Sequence, residues 1–387
     1  MKVGIDCRSL LAAKTGIGVY TDRLLHGLAE CSGLKLKCYL HLPFLNPNKI
    51  RRALTEVAQA HQRVEIVSQS FPTPKIQRLI WSYTDFMPVE TIIGDVDIFH
   101  STSFLMPPLR KAKGVLTIYD LTFMLFPEYH LTEMQAYTRH IRKYAERADC
   151  IIAISDHTKR DIVEQLDFPD ERIRVTMLAA DERYHIVNDP DAISSVKSKF
   201  GIDGDYILYT GTLEPRKNIP TLIRAYALLR NERKITHRLV LAGKKGWLYK
   251  EILESVRTLG LERDVIFTGF VADEDMPYLY NGAELFVYPS FYEGFGLPPL
   301  EAMACGCPVV TSNTSSLPEV VGNAGLMVDP NRPEELAEAM GRILEDSELR
   351  AKLREKGLRR SAEFSWKRCA EETLAVYREL SGKGNVG

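Results

Sequence analysis

The fold is decided by residues 289–312, PSFYEGFGLPPLEAMACGCPVVTS, which read as a strand end, a glycine-rich loop, a short helix and a second strand. Gly294 and Gly296 allow unusual backbone dihedrals and the close approach of a ligand. Pro298 and Pro299 suit the first turn of a helix, where a missing N–H costs little. The unpaired N–H groups at this helix start predict an anion site suited to a diphosphate.

Two carboxylates flank the predicted anion site. Glu293 lies at the head of the loop, and Glu301 follows it by eight positions in the first helical turn. One can accept hydrogen bonds from sugar hydroxyls and the other from a ribose diol. The alternative is a capping pair, because acidic residues stabilise helix N-termini by about 0.3–1 kcal/mol. The neighbouring glycines and strands favour the functional interpretation.

A second stretch, residues 206–226, YILYTGTLEPRKNIPTLIRAY, places two cations between a strand and an amphipathic helix. Arg216 offers a fork for two phosphate oxygens, and Lys217 offers a mobile point charge. An ordinary basic helix start is the alternative, but cations at a helix N-terminus oppose the helix dipole. The pair therefore predicts an anionic ligand, such as a departing nucleoside diphosphate, held without a metal ion.

Short apolar runs alternate with longer helical patterns along almost the whole chain. Two βαβ series in succession predict an α/β protein with two Rossmann-like, doubly wound parallel sheets that face an inter-domain cleft. The predicted strands are 3–6, 36–41, 64–68, 97–101, 115–119, 150–155, 173–177, 206–211, 238–243, 265–269, 285–289, 309–312 and 326–329. The predicted helices are 18–29, 132–148, 156–165, 219–230, 248–259, 298–304, 333–345 and 366–380.

The predicted domains are residues 1–187 and 188–365, followed by a final helical segment, 366–387. Part of the polar stretch 181–205 is interpreted as the linker, because it contains Pro and Gly and lacks a strong strand pattern. Within it, the DPD of residues 189–191 is interpreted as a turn rather than a metal-binding motif.

Length and composition limit the class of protein. With 387 residues, 45% hydrophobic and 26% charged, the chain suits a soluble protein of two domains. Its 50 basic and 51 acidic residues give a formal charge of -1, which disfavours nucleic acid as a partner. The start of the sequence has the pattern of an apolar strand rather than that of a signal peptide. No apolar run approaches the roughly 20 residues that a membrane span needs. Seven cysteines without a CxxC pair favour a cytoplasmic location.

The segment 289–312 resembles the Glu-x7-Glu signature of the large retaining glycosyltransferase family with the GT-B fold (group 1, family 4-like). The likeness covers most of the chain and is more specific in its second half. It implies that Glu293 contacts the donor sugar and that Glu301 binds the nucleotide ribose. Backbone groups at three positions of the same loop would hold sugar and phosphate: Phe295, Gly296 and Leu297.

The same resemblance assigns the domains. It implies that residues 188–365 bind a nucleotide sugar and that residues 1–187 form the acceptor side. It also implies that the segment 366–387 packs back onto the first domain.

The loop GTLEPRKN, residues 211–218, resembles the diphosphate-binding loop of this family, especially of members similar to mannosyltransferases. Gly211 and Thr212 are accordingly expected to contact the donor. The resemblance implies transfer of a hexose to a hydroxyl of a glycan or lipid-linked acceptor in polysaccharide biosynthesis. It implies front-face attack with retention, and no metal or other cofactor. GDP-mannose is the favoured donor, with a UDP-sugar next.

The stretch KTGIGVYTDRLL, residues 14–25, places Gly16 and Gly18 between a strand and a helix. A tight turn explains such a pair as well as a ligand does. The stretch resembles the family's N-terminal glycine loop, which approaches the donor phosphate and the acceptor.

Two strands of the first domain end in polar residues, DIFHST with His100 and TIYDLTF with Tyr119 and Asp120. His100 is a catalytic candidate, although a single His is more often structural. In many family members the second strand ends in a His–Asp or similar pair, with the His beside the donor sugar. Tyr119 stands there, which leaves that role unassigned. Asp120 occupies the matching acidic position and is predicted to orient the acceptor hydroxyl or act as general base.

The turn after the strand 265–269 contains Phe270 and Val271. Family likeness suggests that the backbone there contacts the nucleotide base. Packing under the next helix is the alternative.

The helix 132–148 is rich in basic residues, which suits peripheral contact with the inner face of an anionic membrane. A solvated helix face is the alternative. The basic residues are Arg139, His140, Arg142, Lys143 and Arg147.

Two other functions compete with glycosyl transfer. A sugar-nucleotide epimerase on the same scaffold would convert the donor sugar without an acceptor. A non-catalytic partner subunit would bind the nucleotide sugar without turnover.

Overall fold

The computed structural model describes residues 1–11, 16–42, 55, 57–59, 61–129, 135–246 and 249–382. The chain divides into two compact units. The first unit comprises Met1–Leu178 with Trp366–Gly387, and the second comprises Ala179–Ser365.

The described residues of the first unit contain a seven-stranded parallel sheet. Its strands are β1 (Lys2–Asp6), β2 (Lys35–His41), β3 (Glu65–Gln69), β4 (Ile98–Ser101), β5 (Lys113–Ile118), β6 (Cys150–Ala153) and β7 (Ile173–Val175). The spatial order is β3-β2-β1-β4-β5-β6-β7, so the strand order reverses between β1 and β4. All its described pairings are parallel.

Helices accompany this sheet, and two of them begin with a side-chain cap. They are α1 (Gly16–Glu30), α2 (Pro74–Tyr83), α3 (Glu90–Ile93), α4 (Thr122–Leu125), α5 (Gln135–Glu146) and α6 (Asp156–Leu166). The Ser155 side chain accepts the N–H of Thr158 and caps α6, and Thr73 caps α2 in the same way. The middle strands β4 and β6 are buried along their whole length, which explains their continuous apolar sequences.

The second unit contains a six-stranded parallel sheet within its described residues. Its strands are β8 (Tyr206–Thr210), β9 (Arg238–Ala242), β10 (Val265–Gly269), β11 (Leu285–Tyr288), β12 (Val309–Ser312) and β13 (Leu326–Val328). The order β10-β9-β8-β11-β12-β13 reverses between β8 and β11. Ligands of such sheets bind beyond the carboxyl ends of the strands, at this reversal. Both sheets are doubly wound, so the predicted α/β fold class is confirmed.

The helices of the second unit include one inside the stretch that was interpreted as linker. They are α7 (Pro190–Lys199), α8 (Ile219–Glu232), α9 (Tyr249–Thr258), α10 (Met276–Gly282), α11 (Leu297–Ala304), α12 (Leu317–Val321), α13 (Pro333–Glu345) and α14 (Ser347–Ser361). The DPD at 189–191 starts α7, because the Asp189 side chain accepts the N–H of Ala192 at 2.9 Å.

The second unit begins nine residues before the sequence-based boundary, at Ala179 rather than residue 188. Side-chain contacts explain the difference. Asn281 accepts the N–H of Val187 at 2.8 Å and donates to the His185 carbonyl at 2.9 Å. The Tyr184 ring meets the Tyr280 ring edge-on. These contacts hold residues 184–187 against the second unit.

The last described helix, α15 (Trp366–Leu380), belongs to the first unit and packs against α1. Gly27 permits the close approach, because a Cβ there would lie 2.6 Å from the Cβ of Ala370. Among the described residues, none of the helices has the length and hydrophobicity that a membrane span requires. All seven cysteines lie in the described ranges and are free thiols.

Candidate active site

The two motifs of the second unit meet at the reversal of its sheet. Arg216 and Lys217 lie in a short 3-10 turn after β8, and Glu293 lies in the loop after β11. Because β8 and β11 are neighbours, these loops leave the same edge side by side. The Lys217 Nζ lies 2.6 Å from one carboxylate oxygen of Glu293, and the Arg216 guanidinium lies 2.9 Å from the other.

A fourth residue completes this charge cluster of Glu214, Arg216, Lys217 and Glu293. The Arg216 guanidinium pairs with Glu214 at 2.9 Å, so two cations and two carboxylates balance one another. Glu214, Lys217 and Glu293 are each no more than 7% exposed. From the sequence, the cations were expected to bind phosphate and Glu293 to bind sugar, as separate groups. The structure brings them into one neutral, buried network. Glu214 was missed although it lies within the loop GTLEPRKN, because only the cations and the first two residues of that loop were given a role.

Two members of the charge cluster, Glu293 and Lys217, have lowered pKa values. Burial would raise the pKa of Glu293, but the positive charges of Arg216 and Lys217 outweigh burial and lower it to about 2. Burial, followed by repulsion from Arg216, lowers the pKa of Lys217. Glu293 is therefore ionised at neutral pH and holds both cations in place.

Lys217 has further partners that fix its ammonium group. Its Nζ donates to the Tyr288 hydroxyl at 2.6 Å and lies 5.0 Å from the centre of that ring. With Glu293 as second acceptor, one of its three N–H groups has no acceptor among the described residues. Asn218 binds the carbonyls of Pro289 and Pro330, which ties the cationic loop to the neighbouring strands.

Two serines after β12 clamp the loop that carries Glu293. Ser315 accepts the Glu293 N–H at 2.9 Å. Ser316 donates to the carbonyls of Glu293 and Phe295 at 2.8 and 2.6 Å. Neither serine was predicted from the sequence, although the hydroxyl-rich run SNTSS at 312–316 follows a predicted strand.

The predicted anion site at the start of α11 has a different set of donors from a standard helix start. Pro298 and Pro299 carry no N–H, and the N–H of Leu300 already bonds to the Gly296 carbonyl at 3.4 Å. The N–H groups of Phe295, Gly296 and Leu297, however, reach no acceptor within the described ranges. These are the three positions that the resemblance assigned to sugar and phosphate.

Gly296 has a backbone that only glycine adopts easily. Its φ is +117°, and a Cβ there would lie 2.8 Å from the Leu317 side chain. This conformation lets the loop turn directly from Phe295 into α11. The buried Phe295 ring packs edge-on against Phe364, so the loop is anchored on its inner side.

Glu301 lies on α11 beside two tyrosines. Burial raises the pKa of Glu301 to about 7, although a hydrogen bond from Tyr280 opposes the shift. The Tyr280 hydroxyl lies 2.9 Å from the carboxylate and 2.7 Å from the Thr210 hydroxyl. Nearby Asp181 and Asp273 add to the upward shift. Glu301 therefore titrates near neutral pH, unlike Glu293.

Other predicted donor contacts lie at the same edge of the sheet. Gly211 follows β8 with a φ of +138°, and Thr212 is exposed beside it. Phe270 follows β10 with its ring 62% exposed and 4.5 Å from the Lys244 ammonium. Val271 is buried, which favours the packing alternative for its side chain.

In the first unit, both glycines of the predicted N-terminal loop lie within a helix. Gly16 is the first residue of α1, and Gly18 is buried in its first turn. The preceding residues 14 and 15 lie outside the described ranges. The interpretation of Gly16 and Gly18 as ligand contacts stays a prediction.

His100 occupies the buried interior of the first unit, where both ring nitrogens are engaged. Nδ1 lies 2.6 Å from the Tyr377 hydroxyl, and Nε2 lies 2.7 Å from the Thr117 hydroxyl. Burial lowers the pKa of His100 to about 3. The structure thus favours the structural alternative over the catalytic role predicted for His100. Tyr119 also turns inward, since its hydroxyl donates to the Thr102 carbonyl at 2.8 Å.

Replacing His100 by Leu is expected to cost stability rather than catalysis. Leu leaves the buried Tyr377 hydroxyl without this partner, which costs about 1–3 kcal/mol. Urea unfolding should show the loss, while kcat of the folded enzyme stays near the wild-type value. A large fall in kcat with unchanged stability would restore the catalytic interpretation. Thr373→Val, a buried hydroxyl change on α15, is the matched control for stability.

Asp120 lies in the first unit, at the carboxyl end of β5. One of its carboxylate oxygens accepts the N–H and the hydroxyl of Thr122, at 3.1 and 2.6 Å. Its predicted acceptor role stays a prediction. At the reversal of the first sheet, Asp6 and Arg8 pair at 2.6 Å, and neither was predicted as a site residue from the sequence. The signal was an acid at the end of the first strand and a base two positions later.

Two groups of side chains among the described residues have donor atoms close enough to share a metal ion. They are Asp22 with His26 and His61, and Asp205 with His237 and Glu284. Neither group contains a member of the charge cluster.

Each of the two units matches a known protein family. Residues 193–360 match the family described as Glycosyl transferases group 1. Residues 14–181 match the family described as Glycosyltransferase Family 4.

Two relatives from Escherichia coli are named as mannosyltransferases. The chain is 34% identical over 391 residues to O-antigen chain mannosyltransferase B, covering 98% of this chain and 100% of that protein. It is 37% identical over 273 residues to the serotype-specific mannosyltransferase WbdA, covering 69% of this chain and 34% of that protein.

Two crystal structures share the fold at low sequence identity. Anabaena Alr3699/HepE in complex with UDP and glucose aligns with a TM-score of 0.72 and 19% identity, covering 98% of this chain and 100% of that chain. WaaG, a glycosyltransferase involved in lipopolysaccharide biosynthesis, aligns with a TM-score of 0.69 and 16% identity, covering 97% and 99%. The predicted GT-B fold is confirmed.

Proposed function

We propose that this chain, which belongs to the group 1 glycosyl transferases, moves a mannosyl group from GDP-mannose to a hydroxyl of a glycan or lipid-linked acceptor. The proposal includes retention of the anomeric configuration and independence of metal ions. The observation that carries it is the charge cluster beside three unpaired backbone N–H groups, at the reversal of the second sheet.

The donor diphosphate would bind at the carboxyl edge of the second sheet. The third N–H of Lys217 and the amides of Gly296 and Leu297 supply donors for its oxygens. Negative charge grows on the leaving phosphate as the glycosidic bond breaks, and preorganised donors stabilise that charge without reorganising. Two fixed cations can therefore perform the role that a divalent ion performs in other transferases.

Glu293 would serve two purposes. Its ionised carboxylate holds Arg216 and Lys217 in position, and its oxygens can accept hydrogen bonds from donor sugar hydroxyls. Glu301, on the far side of the anion site, would accept the two ribose hydroxyls. The exposed ring of Phe270, after β10, lies at the same sheet edge and is available to the base.

The transfer itself would be a front-face displacement. The bond between C1 of the sugar and the β-phosphate oxygen breaks, and the electron pair leaves with GDP. The acceptor oxygen forms the new bond to C1 on the same face, and its proton passes to the departing phosphate oxygen. No protein nucleophile is needed, and an α-linked mannoside results from α-linked GDP-mannose.

Two observations support mannose as the transferred sugar. The loop GTLEPRKN is similar to that of mannosyltransferases in this family. A relative that aligns along its whole length is named an O-antigen chain mannosyltransferase. That name also supports a glycan acceptor.

A donor panel tests the proposal. Purified protein is incubated with GDP-mannose or UDP-sugars, with and without mannosylated acceptors, and products are separated by chromatography. Release of GDP together with an extended, α-linked acceptor is expected, and EDTA should leave the rate unchanged. Conversion of the donor sugar without acceptor would indicate an epimerase, and binding without turnover a partner subunit. Activity lost in EDTA and restored by a divalent ion would overturn metal independence.

Nucleotide binding is expected to strengthen as the pH rises through about 7. Glu301 must be ionised to accept both ribose hydroxyls, and its pKa is about 7. The Kd for GDP should therefore be about tenfold weaker one pH unit below this value than one unit above it. Calorimetric titration measures both values.

Glu301→Gln provides the decisive comparison for this pH dependence. The variant should bind GDP more weakly and lose most of the pH dependence. The control Glu274→Gln, at an exposed position, should keep the wild-type affinity and the wild-type pH dependence. An unchanged pH profile in Glu301→Gln would remove Glu301 from the ribose site.

A further inference from the structure

Two histidines and an aspartate of the first unit form a compact group of possible metal ligands. Asp22 and His26 lie one helical turn apart on α1, and His61 approaches them from the segment between β2 and β3. Each residue offers one ligand atom, and the three atoms lie within 4.8 Å of one another. We call these three residues the His–Asp group. None of them has a role in the proposed transfer.

The distances within the His–Asp group suit a shared ion. Residues four apart on a helix are neighbours, and His26 Nδ1 lies 3.7 Å from Asp22 Oδ1. His61 Nε2 lies 3.0 Å from the same oxygen. Two ligands of a tetrahedral zinc ion, with bonds of about 2.0–2.1 Å, lie roughly 3.3 Å apart. One observed distance is slightly longer than this spacing and the other slightly shorter, so small side-chain movements would complete the site.

The backbone and the burial of His61 hold its ring in place. Its N–H bonds to the Val57 carbonyl at 3.0 Å, and its own carbonyl accepts the Val64 N–H at 3.1 Å. Both valines are buried, and the His61 side chain is only 1% exposed. Its Nδ1 atom is buried without a hydrogen-bond partner among the described residues. Such an atom calls for an explanation, and an ion bound by the ring is one.

The other two residues give an ion access from solvent. The side chains of His26 and Asp22 are 44% and 36% exposed. Burial would raise the pKa of Asp22, but the hydrogen bond from His61 and the charge of His26 outweigh burial and lower it. Asp22 is therefore an ionised carboxylate at neutral pH, which is the form that binds a metal ion.

We propose that the His–Asp group binds a zinc ion, which joins α1 to the segment before β3. Two imidazole nitrogens and one carboxylate oxygen are a typical zinc ligand set, and water would occupy the fourth position. Imidazole suits zinc, whereas Mg²⁺ and Ca²⁺ prefer oxygen ligands. His26 Nδ1 also lies 2.9 Å from the Asp22 carbonyl oxygen, and zinc would replace that hydrogen bond. The ion would stabilise the first unit and take no part in transfer.

The second group of possible ligands suits a metal ion less well. In that group, the Glu284 carboxylate lies 3.6 Å from the Arg350 guanidinium. A fixed cation at this distance repels a metal ion and competes with it for the carboxylate. Asp22, in contrast, pairs with no Arg or Lys within the described ranges. The charges therefore favour the His–Asp group.

Calorimetric titration of the full chain with Zn²⁺ tests the proposal. The protein carries no histidine tag and is first freed of metals with EDTA and dialysed. One equivalent of Zn²⁺ should bind, with a Kd at least about 100-fold below that for Mg²⁺. Zinc at about 100 times its Kd should raise Tm by roughly 5 °C or more. Zinc binding no tighter than Mg²⁺ binding would overturn the proposal.

Two single variants assign the ligands. Asp22→Asn and His26→Gln should each weaken zinc binding at least about 100-fold, since loss of an outer partner of a ligand already costs roughly 10–100-fold. Both positions are partly exposed, so the variants should fold. Wild-type zinc affinity in either variant would remove that residue from the site and overturn the proposal.

His157→Gln is the matched control for both variants. His157 and Asp161 are also four apart on a helix, with His157 Nε2 3.6 Å from Asp161 Oδ2. No third possible ligand joins this pair in the part of the chain that the structure describes. The control should bind zinc like the wild type. A loss equal to that in His26→Gln would indicate dispersed binding to surface histidines and overturn the proposal.

Transfer assays separate the zinc site from the proposed function. EDTA should abolish the zinc-dependent rise in Tm and leave the rate of transfer unchanged. If EDTA stops transfer in the wild type and also in His26→Gln, metal independence of the proposed function fails and the zinc site stands. If the rise in Tm is the same in His26→Gln as in the wild type, the zinc site fails and the proposed function stands.

Discussion

Replacement of Glu293 by Gln is expected to reduce kcat by roughly 10²–10³-fold and to destabilise the second unit. The substitution keeps the shape of the side chain but removes the charge that positions Arg216 and Lys217, at 2.9 and 2.6 Å. Preorganised charge of this kind typically contributes that much to the rate. Steady-state kinetics with GDP-mannose measures the loss.

The stability effect of Glu293→Gln follows from the same contacts. The folded pKa of about 2 lies below the ordinary 4.5, so ionised Glu293 stabilises the fold above pH 4.5 and loses that contribution as the pH falls through about 2. The difference corresponds to about 3 kcal/mol at neutral pH. Unfolding in urea at neutral pH should therefore show a markedly lower free energy for the variant.

Glu284→Gln is the matched control for Glu293→Gln. Glu284 directly precedes β11 at the amino end of the strand, and it pairs with His237 at 2.9 Å. The control should leave kcat within about twofold of wild type, since it lies away from the carboxyl edge where ligands bind. If Glu293→Gln retained wild-type kcat, the charge cluster would have no role in turnover.

Replacement of Lys217 by Met is expected to lower kcat by roughly 10²–10³-fold with a smaller change in stability. Met fills the space beside the Tyr288 ring but cannot stabilise charge on a leaving phosphate. Glu293 keeps Arg216 as a partner, so no buried charge is left unpaired. The contrast with Glu293→Gln, which leaves two cations without their shared carboxylate, separates the catalytic effect from the structural one.

Single-turnover kinetics tests the origin of the Lys217→Met defect. The rate of the chemical step should fall more than the affinity for GDP-mannose, because the charge is greatest in the transition state. Arg230→Met is the control. It removes the ion pair between Arg230, on α8, and Asp264 at 2.9 Å, and it should leave this rate unchanged. An equal loss in both variants would indicate a general structural effect.

Much of the fold could be predicted because the strands are buried on both faces. Such strands are short, continuous apolar runs, and each predicted strand matches an observed one to within two residues at either end. Helices α2 and α14 were missed, and so were the helices α3, α4, α7, α10 and α12. In α2, outward apolar residues such as Leu79 obscure the amphipathic pattern, and α14 is largely polar with few buried positions.

The sequence by itself also predicted an anion site in the second unit. A Glu, an Arg and a Lys after buried strands, with glycines beside them, were sufficient to predict an anion site, because residue type and position in a βα loop do not depend on packing. The same reasoning proposed His100, whose environment is set by packing. Its partner Tyr377 lies 277 positions away.

Only the tertiary structure decided which groups meet. Arg216 and Glu293 are 77 positions apart, and their pairing arises because β8 and β11 become neighbours where the sheet reverses. The exposure of Leu79 was likewise invisible in the sequence, since Leu79 and the buried Trp81 are both hydrophobic. Burial of one and exposure of the other depend on which face of α2 the sheet covers, and that is a property of long-range packing rather than of local residue order.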